Sequence, residues 1–305
     1  MRYRFVTADV FTDRVFGGNP LAVLLDARGL ADRQMQAIAR EFNLSETVFV
    51  LPPDDPAHTR KLRIFTPAQE VPFAGHPTVG SALILAATGA LELAGETTQI
   101  TFEERAGPVP VTIRAAGGRA VFAQLTAPQA PEVRPAPEPA ALAAMLSLTP
   151  ADLRTDAGLP ELASCGFPFL IVELADAAAL ARARPDHAVR RELLADAWAR
   201  AIYLVTREAA DPAVDFQVRM FAPAAGIAED PATGAAAAAF GGWLGLREAP
   251  ADGTQRYVIA QGIEIGRPSR LEVEIEKHAG SVAAVRVGGS AVLVTEGTIE
   301  VPAEI

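Results

Sequence analysis

Two stretches of the sequence repeat the same pattern of apolar and polar positions. The first starts at Arg63 as Arg-Ile-Phe-Thr-Pro-Ala, passes through Phe-Ala-Gly-His-Pro and continues into an apolar run. The second starts at Arg219 as Arg-Met-Phe-Ala-Pro-Ala, passes through Glu-Asp-Pro-Ala-Thr-Gly and continues into the alanine run 235–239. Each copy predicts a strand, a tight loop and a buried helix that is apolar on nearly all sides. Because the copies lie about half a chain length apart, we expect two related halves.

The first half combines short strands with two helices. Apolar residues between positions 35 and 42 recur at the spacing of one helix face, which predicts an amphipathic helix over residues 31–43. The apolar run after the first loop predicts a buried helix over residues 78–91. Alternating and β-branched segments predict strands over residues 3–11, 21–25, 46–51, 61–65, 100–102, 109–113 and 120–125.

The second half begins after a proline-rich surface connection over residues 127–139. Helices are predicted over residues 140–146, 177–183 and 188–200, besides the one that follows the repeated loop. Strands are predicted over residues 167–172, 201–206, 257–259, 270–276, 281–287, 291–294 and 297–301. The fold class predicted from this pattern is α+β, with many short strands around one central helix in each half.

The turn Ala115-Ala-Gly-Gly predicts the domain boundary. We expect an N-terminal domain over residues 1–117, completed by a C-terminal strand from residues 288–305, and a C-terminal domain over residues 118–287. Function is expected where the two halves meet.

Composition and charge exclude several classes of protein. Half of the 305 residues are apolar and 21% are charged, as in soluble globular proteins. The net charge of −10, without a cluster of Lys and Arg, argues against nucleic-acid binding. The single Cys165 excludes an intramolecular disulfide framework, and we interpret it as a structural thiol. No apolar run is long and uninterrupted enough for a membrane span, and the N-terminus lacks a signal-peptide core, so a cytoplasmic location is expected.

The candidate chemistry lies in the two repeated loops. His76-Pro77 and Asp230-Pro231 each precede or open a helix, where a polar side chain can act as the cap and the backbone N–H groups are free. If the halves face each other, both helix N-termini reach one cleft, and a small anion such as a carboxylate is the ligand expected there. The simpler alternative is that these pairs only mark helix starts, and that Glu46 is a solvated carboxylate at a strand end. Buried beside a histidine, Glu46 could instead transfer a proton.

Other chemistries lack their motifs. The four histidines show no metal-site spacing, and we predict no metal site. The glycine-rich nucleotide loops and the serine-nucleophile elbow are also missing from the sequence.

Seven sequence blocks, spread over most of the chain, resemble the PhzF (phenazine-biosynthesis isomerase-like) family. They begin at Asp9 (Asp-Val-Phe-Thr-Asp-Arg), Phe16 (Phe-Gly-Gly-Asn-Pro), Asn43 (Asn-Leu-Ser-Glu-Thr-Val-Phe), Phe65 (Phe-Thr-Pro), Pro72 (Pro-Phe-Ala-Gly-His-Pro), Glu229 (Glu-Asp-Pro-Ala-Thr-Gly) and Gln261 (Gln-Gly-Ile-Glu-Ile-Gly-Arg-Pro). The resemblance implies the diaminopimelate-epimerase-like fold: two pseudo-symmetric domains, each a curled, mainly antiparallel sheet around a central helix. It also implies an active site between the domains and a homodimer.

The same resemblance implies roles for individual residues. Glu46 would be the general acid/base, while His76 and Asp230 would hold the substrate and its protons. Substrate-binding positions would be Asn19, Gly75, Thr233, Gly234 and Ala235. In the characterised family member the reaction moves a proton within 2,3-dihydro-3-hydroxyanthranilate, and no cofactor is implied.

Three alanines mark departures from related chemistry. Racemases of this fold use one cysteine from each domain, and Ala74 and Ala232 stand about where those thiols would be, which excludes the two-thiol mechanism. Family members commonly carry Ser at the position of Ala235, so a hydroxyl donor is missing here.

We therefore expect a cofactor-independent, biosynthetic isomerase that acts on a small, carboxylate-bearing, cyclic unsaturated amino acid. The alternative from another class is a non-catalytic protein that binds a metabolite or a protein partner. Hydro-lyase or tautomerase chemistry on a related acid is a third hypothesis that the sequence does not separate from the first.

Overall fold

The computed structural model describes residues 1–156, 158–247 and 252–303, which divide into two compact units. One unit is Met1–Pro128 with Val287–Ile305, and the other is Gln129–Arg286. The elements up to residue 126 are β1 (Arg2–Val10), β2 (Asn19–Leu24), α1 (Asp32–Phe42), β3 (Glu46–Leu51), β4 (Arg60–Phe65), β5 (Glu70–Val71), α2 (Gly75–Ala87), β6 (Thr97–Glu104), β7 (Gly107–Ala116) and β8 (Arg119–Thr126).

The remaining elements complete both units. They are β9 (Glu132–Pro135), α3 (Pro139–Met145), β10 (Glu161–Ser164), β11 (Pro168–Glu173), α4 (Ala177–Arg182), α5 (His187–Leu193), β12 (Ala201–Thr206), β13 (Phe216–Ala222), β14 (Ile227–Asp230), α6 (Gly234–Arg247), β15 (Gly253–Gln261), β16 (Ser269–His278), β17 (Ser281–Gly289) and β18 (Ala291–Glu300).

The first unit surrounds α2 with strands. β1 pairs antiparallel with β2 and with β18, β2 runs parallel to β3, and β3 pairs antiparallel with β4. β6, β7 and β8 form an antiparallel meander. α2 packs on strands from both sets, and every residue from Gly75 to Leu85 is buried. The predicted apolar helix is thus the centre of this unit.

The amphipathic helix α1 covers the outside of the same sheet. Met35, Ile38 and Ala39 are buried with Leu24 and Phe49, while the opposite face of the helix is exposed. The helix ends at Asn43, whose left-handed backbone (φ 50°) lets its N–H bond Ala39 O. The predicted helix over residues 31–43 is confirmed.

The second unit repeats the order of the first. In the first unit the β4–β5 hairpin leads into α2, and β6 then returns parallel to β4. In the second unit the β13–β14 hairpin leads into α6, and β15 returns parallel to β13. Each unit also has an apolar cluster between its sheet and outer helices: in the second unit it lies between β11, β12 and the helices α3 and α4, and in the first it lies under α1. The repeat predicted from the sequence is therefore a repeat of structure.

Each repeated hairpin is closed by the same bidentate ion pair. Arg63 Nε and Nη2 donate to the two oxygens of Glu70, both at 2.8 Å. Arg219 Nε and Nη2 donate to the two oxygens of Glu229, at 2.8 and 2.7 Å. These forked contacts tie β5 and β14 to their neighbours, just before each chain segment enters its helix.

Several predicted boundaries differ from the structure. The helix predicted over residues 188–200 ends at Leu193, and the two strands predicted over residues 291–294 and 297–301 form the continuous strand β18. β7 and β8 pair across the Gly117–Gly118 turn, so the compact unit continues to Pro128, past the boundary predicted at residue 117. β18 lies in the first unit; residues 304 and 305 of the predicted C-terminal segment lie outside the described residues.

Two further expectations concern Cys165 and membrane spans. Cys165 is buried, and desolvation raises the pKa of its thiol to about 12, which fits a structural role. Within the described residues, no helix combines the length and the apolar character that a membrane-spanning segment requires.

Candidate active site

The start of β3 and the start of α2 bring Glu46 and His76 together in the first unit. Glu46 opens β3 and pairs with Leu21 of the parallel strand β2. Its side chain is 14% exposed, and its Oε2 lies 3.5 Å from His76 Nδ1. The alternative of a solvated strand-end carboxylate is thus wrong, because Glu46 is largely buried beside the imidazole.

His76 is neutral in this environment. Its side chain is almost fully buried, and desolvation lowers the pKa of the imidazole to about 3, against a smaller raising effect of a hydrogen bond with the Pro20 backbone. The contact with Glu46 is therefore not an ion pair, although the distance alone would allow one. His76 Nε2 has no hydrogen-bond partner among the described residues. A neutral imidazole can donate at one nitrogen and accept at the other.

The loop before β2 positions Asn19 next to Pro20. Asp9 Oδ2 accepts from the N–H of Phe16 at 2.7 Å, and Phe16 itself has a left-handed backbone (φ 68°). Gly18 (φ 60°) is required because a Cβ there would lie 2.3 Å from Val10 O. Asn19 is fully buried. The loop thus has an unusual backbone geometry, and it places Asn19 at the start of β2.

His76 is not the cap of α2, contrary to our expectation. The cap position is Ala74, which has no side-chain oxygen, and Gly75, His76 and Pro77 form the first helical turn. As at every helix N-terminus, the backbone N–H groups of this turn of α2 have no acceptor within the helix. The imidazole is available for other contacts because it does not cap the helix.

Glu104, which sequence reasoning missed, lies below this helix start. Its Oε1 is 2.5 Å from Thr78 Oγ1. The same hydroxyl oxygen of Thr78 lies 2.8 Å from Ala74 O. Burial raises the pKa of Glu104 to about 8, so the carboxyl group is protonated at neutral pH. The alternation of β6 offered a signal, since Glu104 follows the buried Thr98, Ile100 and Phe102 on the inward face.

The second unit holds the other predicted residues in the loop between β14 and α6. Asp230 ends β14 and is 4% exposed, and Thr233 Oγ1 donates to its Oδ2 at 2.5 Å. Contrary to our expectation, Asp230 does not cap the helix, because α6 starts only at Gly234. Gly234 is buried and Ala235 is half-buried.

Gln261 braces this loop and was not among the predicted site residues. Its Nε2 donates to Asp230 O at 2.8 Å and to Thr233 Oγ1 at 3.0 Å, while its Oε1 accepts from Thr233 N at 3.1 Å. Its position in a glycine-rich block after a strand was the only sequence signal. Among the described residues, no group of three or more His, Cys, Asp or Glu side chains is arranged to hold a metal ion.

Comparison with known proteins places this chain in a family. The sequence profile of the phenazine biosynthesis-like protein family, PhzC-PhzF, matches residues 8–297. The chain belongs to the PhzF family. An uncharacterized isomerase of Mesorhizobium japonicum is 44% identical over 301 residues, covering 97% of this chain and 98% of that protein.

Two further PhzF relatives give a reaction and a structure. Trans-2,3-dihydro-3-hydroxyanthranilate isomerase of Pseudomonas aeruginosa is 35% identical over 295 residues, covering 97% of this chain and 98% of that enzyme. The crystal structure of the Bacillus anthracis PhzF-family phenazine biosynthesis protein superposes with a TM-score of 0.88 at 28% identity, covering 98% of this chain and 99% of that chain.

These relatives confirm the predictions of family, fold and enzyme class. The chain has the α+β, diaminopimelate-epimerase-like fold of the PhzF proteins, and it is an isomerase. The alternative of a non-catalytic binding protein is therefore set aside.

Proposed function

We propose that this PhzF protein is a cofactor-independent isomerase that moves a proton within a small, carboxylate-bearing, cyclic unsaturated amino acid. The substrate class follows the P. aeruginosa relative, which isomerises trans-2,3-dihydro-3-hydroxyanthranilate. The observation that carries the proposal is the largely buried Glu46 carboxylate, 3.5 Å from a neutral histidine.

Glu46 acts as both base and acid in the proposed reaction. Its carboxylate removes a proton from a ring carbon, the C–H electron pair moves into the conjugated system, and Glu46 returns the proton to a second carbon. No atom is gained or lost, and the resulting enol becomes a ketone. His76 and Asp230 orient and polarise the substrate, while Asn19, Gly75, Thr233, Gly234 and Ala235 line its binding site.

The absence of cysteine at two positions supports a single base. Ala74 and Ala232 are buried and carry no ionisable group, so the two-thiol racemase reaction has no acid or base at these positions. A single carboxylate that takes and returns the proton suits isomerisation better than inversion of a stereocentre.

Glu46→Gln tests the role of the carboxylate. The amide keeps the shape of the side chain but cannot accept the proton, so turnover of trans-2,3-dihydro-3-hydroxyanthranilate should fall at least about 1,000-fold. Substrate affinity, measured by calorimetry, should change less than about threefold. Glu41→Gln, an exposed glutamate at the end of α1, is the matched control and should keep full activity. Retained turnover in Glu46→Gln would reject this assignment.

The family resemblance also leads us to propose a cytoplasmic homodimer. Light scattering on the purified protein should give twice the mass of the chain, and a monomer mass would reject the proposed assembly.

A further inference from the structure

Gln261, the last residue of β15, is fully buried, and its whole side-chain amide faces the loop between β14 and α6. The Nε2 group contacts Asp230 O and Thr233 Oγ1, and Oε1 contacts the N–H of Thr233. The reversed amide would set Oε1 against a carbonyl oxygen and Nε2 against an N–H group. The network therefore fixes which end of the amide carries the nitrogen.

This arrangement fixes the direction of the Thr233 hydroxyl group. An amide nitrogen only donates, so Thr233 Oγ1 accepts the hydrogen bond from Gln261 Nε2. The hydroxyl has one hydrogen, and its other partner is Asp230 Oδ2, 2.5 Å away. The hydrogen therefore points at Asp230, and Oδ2 is an acceptor.

The direction of this hydrogen bond has consequences for the carboxyl group of Asp230. A donated hydrogen bond stabilises the ionised form of a carboxylic acid. Because Oδ2 already accepts from Thr233, protonation of Asp230 is favoured on Oδ1. Oδ2 of the carboxyl group is thus held by the loop as an acceptor.

We propose that Gln261 is a positioning residue that acts through Thr233 to keep Asp230 ionised and its Oδ1 oriented for the substrate. The role in orienting the substrate rests on the proposed isomerase function, whereas the effect on Asp230 is a property of the free protein.

Neighbouring contacts hold the same loop and the nearby charges in place. Ser269 Oγ donates to Pro231 O at 2.9 Å, and a Cβ at Gly262 (φ 77°) would lie 2.6 Å from the same oxygen. Glu229 of β14 is paired with Arg219 of β13, and Glu264 accepts from Gln217 of β13 at 2.8 Å. Glu229 and one oxygen of Glu264 thus contact side chains of β13, and the Thr233 hydroxyl is the contact with Asp230 that Gln261 controls.

Reversing the donor at position 261 tests the proposal. In Gln261→Glu the ionised side chain can only accept, so once the new carboxyl group is ionised the Thr233 hydroxyl should turn from Asp230 toward it. Selective ¹³C labelling of Asp carboxyl groups reports the titration directly, and Asp230→Asn assigns the resonance. The midpoint of the Asp230 titration should move to higher pH by about one unit or more.

The charge that Gln261→Glu adds must be separated from the reversal of the hydrogen bond. Thr233→Val removes the hydroxyl, so in that background Gln261→Glu acts through its charge alone. We expect the shift caused by Gln261→Glu to be clearly smaller in Thr233→Val than in the parent, a coupling that a double-mutant cycle isolates. Thr233→Ser keeps the hydroxyl and should titrate like the parent. Gln255→Glu, the same change on β15 but away from the loop, should leave the Asp230 midpoint unchanged.

Equal shifts in both backgrounds would overturn the proposal, because Gln261 would then act only as a structural brace. The titration needs no substrate, so its result is independent of the proposed reaction. If Glu46→Gln keeps turnover while the coupling is present, the proposed function fails and the effect of Gln261 on Asp230 stands.

Discussion

The contact between Glu46 and His76 shows how burial decides chemistry at the scale of single residues. An imidazole and a carboxylate at 3.5 Å in water would be a weak ion pair, yet desolvation keeps this histidine neutral. The sequence predicted both residues, because each stands in a distinctive block. It did not predict the charge state of His76, which depends on side chains that the fold packs around it.

The His76 imidazole should remain neutral through the physiological pH range. Its ring ¹⁵N signals, assigned with His76→Asn, should not titrate between pH 5 and 8, whereas in urea the same ring should titrate near its ordinary value of about 6.5. Since the unfolded chain takes up this proton more readily, His76 adds stability above about pH 6.5 that is lost as the pH falls toward about 3. A transition near pH 6.5 in the folded protein would contradict this account.

The start of α2 shows how an element is built over a buried acid. Thr78 has one hydroxyl hydrogen but contacts both Ala74 O and Glu104 Oε1. If it donates to the carbonyl, the carboxyl group must donate to it, and a protonated Glu104 satisfies both contacts.

The expectation of polar side-chain caps at His76 and Asp230 was wrong. A polar residue next to a helix start is compatible with several local structures, and the sequence does not show which backbone atoms its side chain reaches.

Replacing Glu104 by Gln should make stability less sensitive to pH. The ordinary pKa of 4.5 is raised to about 8 in the folded protein, so the parent loses stability as pH rises between these values. Glu104→Gln does not lose stability in this way. The difference in the free energy of unfolding between Glu104→Gln and the parent should therefore increase in favour of the variant by at most about 1.4 kcal/mol for each pH unit in that range. Urea unfolding from pH 5 to 9 measures the difference.

The neighbouring Glu103 provides an opposite control for this experiment. Backbone N–H groups of Asp54 and Asp55, together with His58, lower the pKa of Glu103 to about 2. Its ionised form is the stabilising one, so Glu103→Gln should be less stable than the parent throughout pH 5 to 9. Two variants with the same pH profile would show that Glu104 is ionised in the folded protein.

At the scale of the whole molecule, the internal repeat was the most informative part of the sequence. It predicted the two strand-loop-helix units. The apolar runs predicted the buried helices, because a helix that is buried on all sides is apolar on all sides. Short pairings such as β5 and β14 were missed because two to four residues carry no periodicity. Gln261 was missed as a site residue because its role depends on a loop that lies far away in sequence.

The most direct test of the proposed reaction is proton NMR of the protein with trans-2,3-dihydro-3-hydroxyanthranilate in D₂O. A base that exchanges with solvent during the reaction should place deuterium in the product, with loss of the corresponding ring-proton signal, in the parent protein only. The Glu46→Gln variant, run beside it, should leave the substrate spectrum unchanged. Conversion of the substrate by both proteins, or by neither, would contradict the assignment of Glu46 as the acid and base for this substrate.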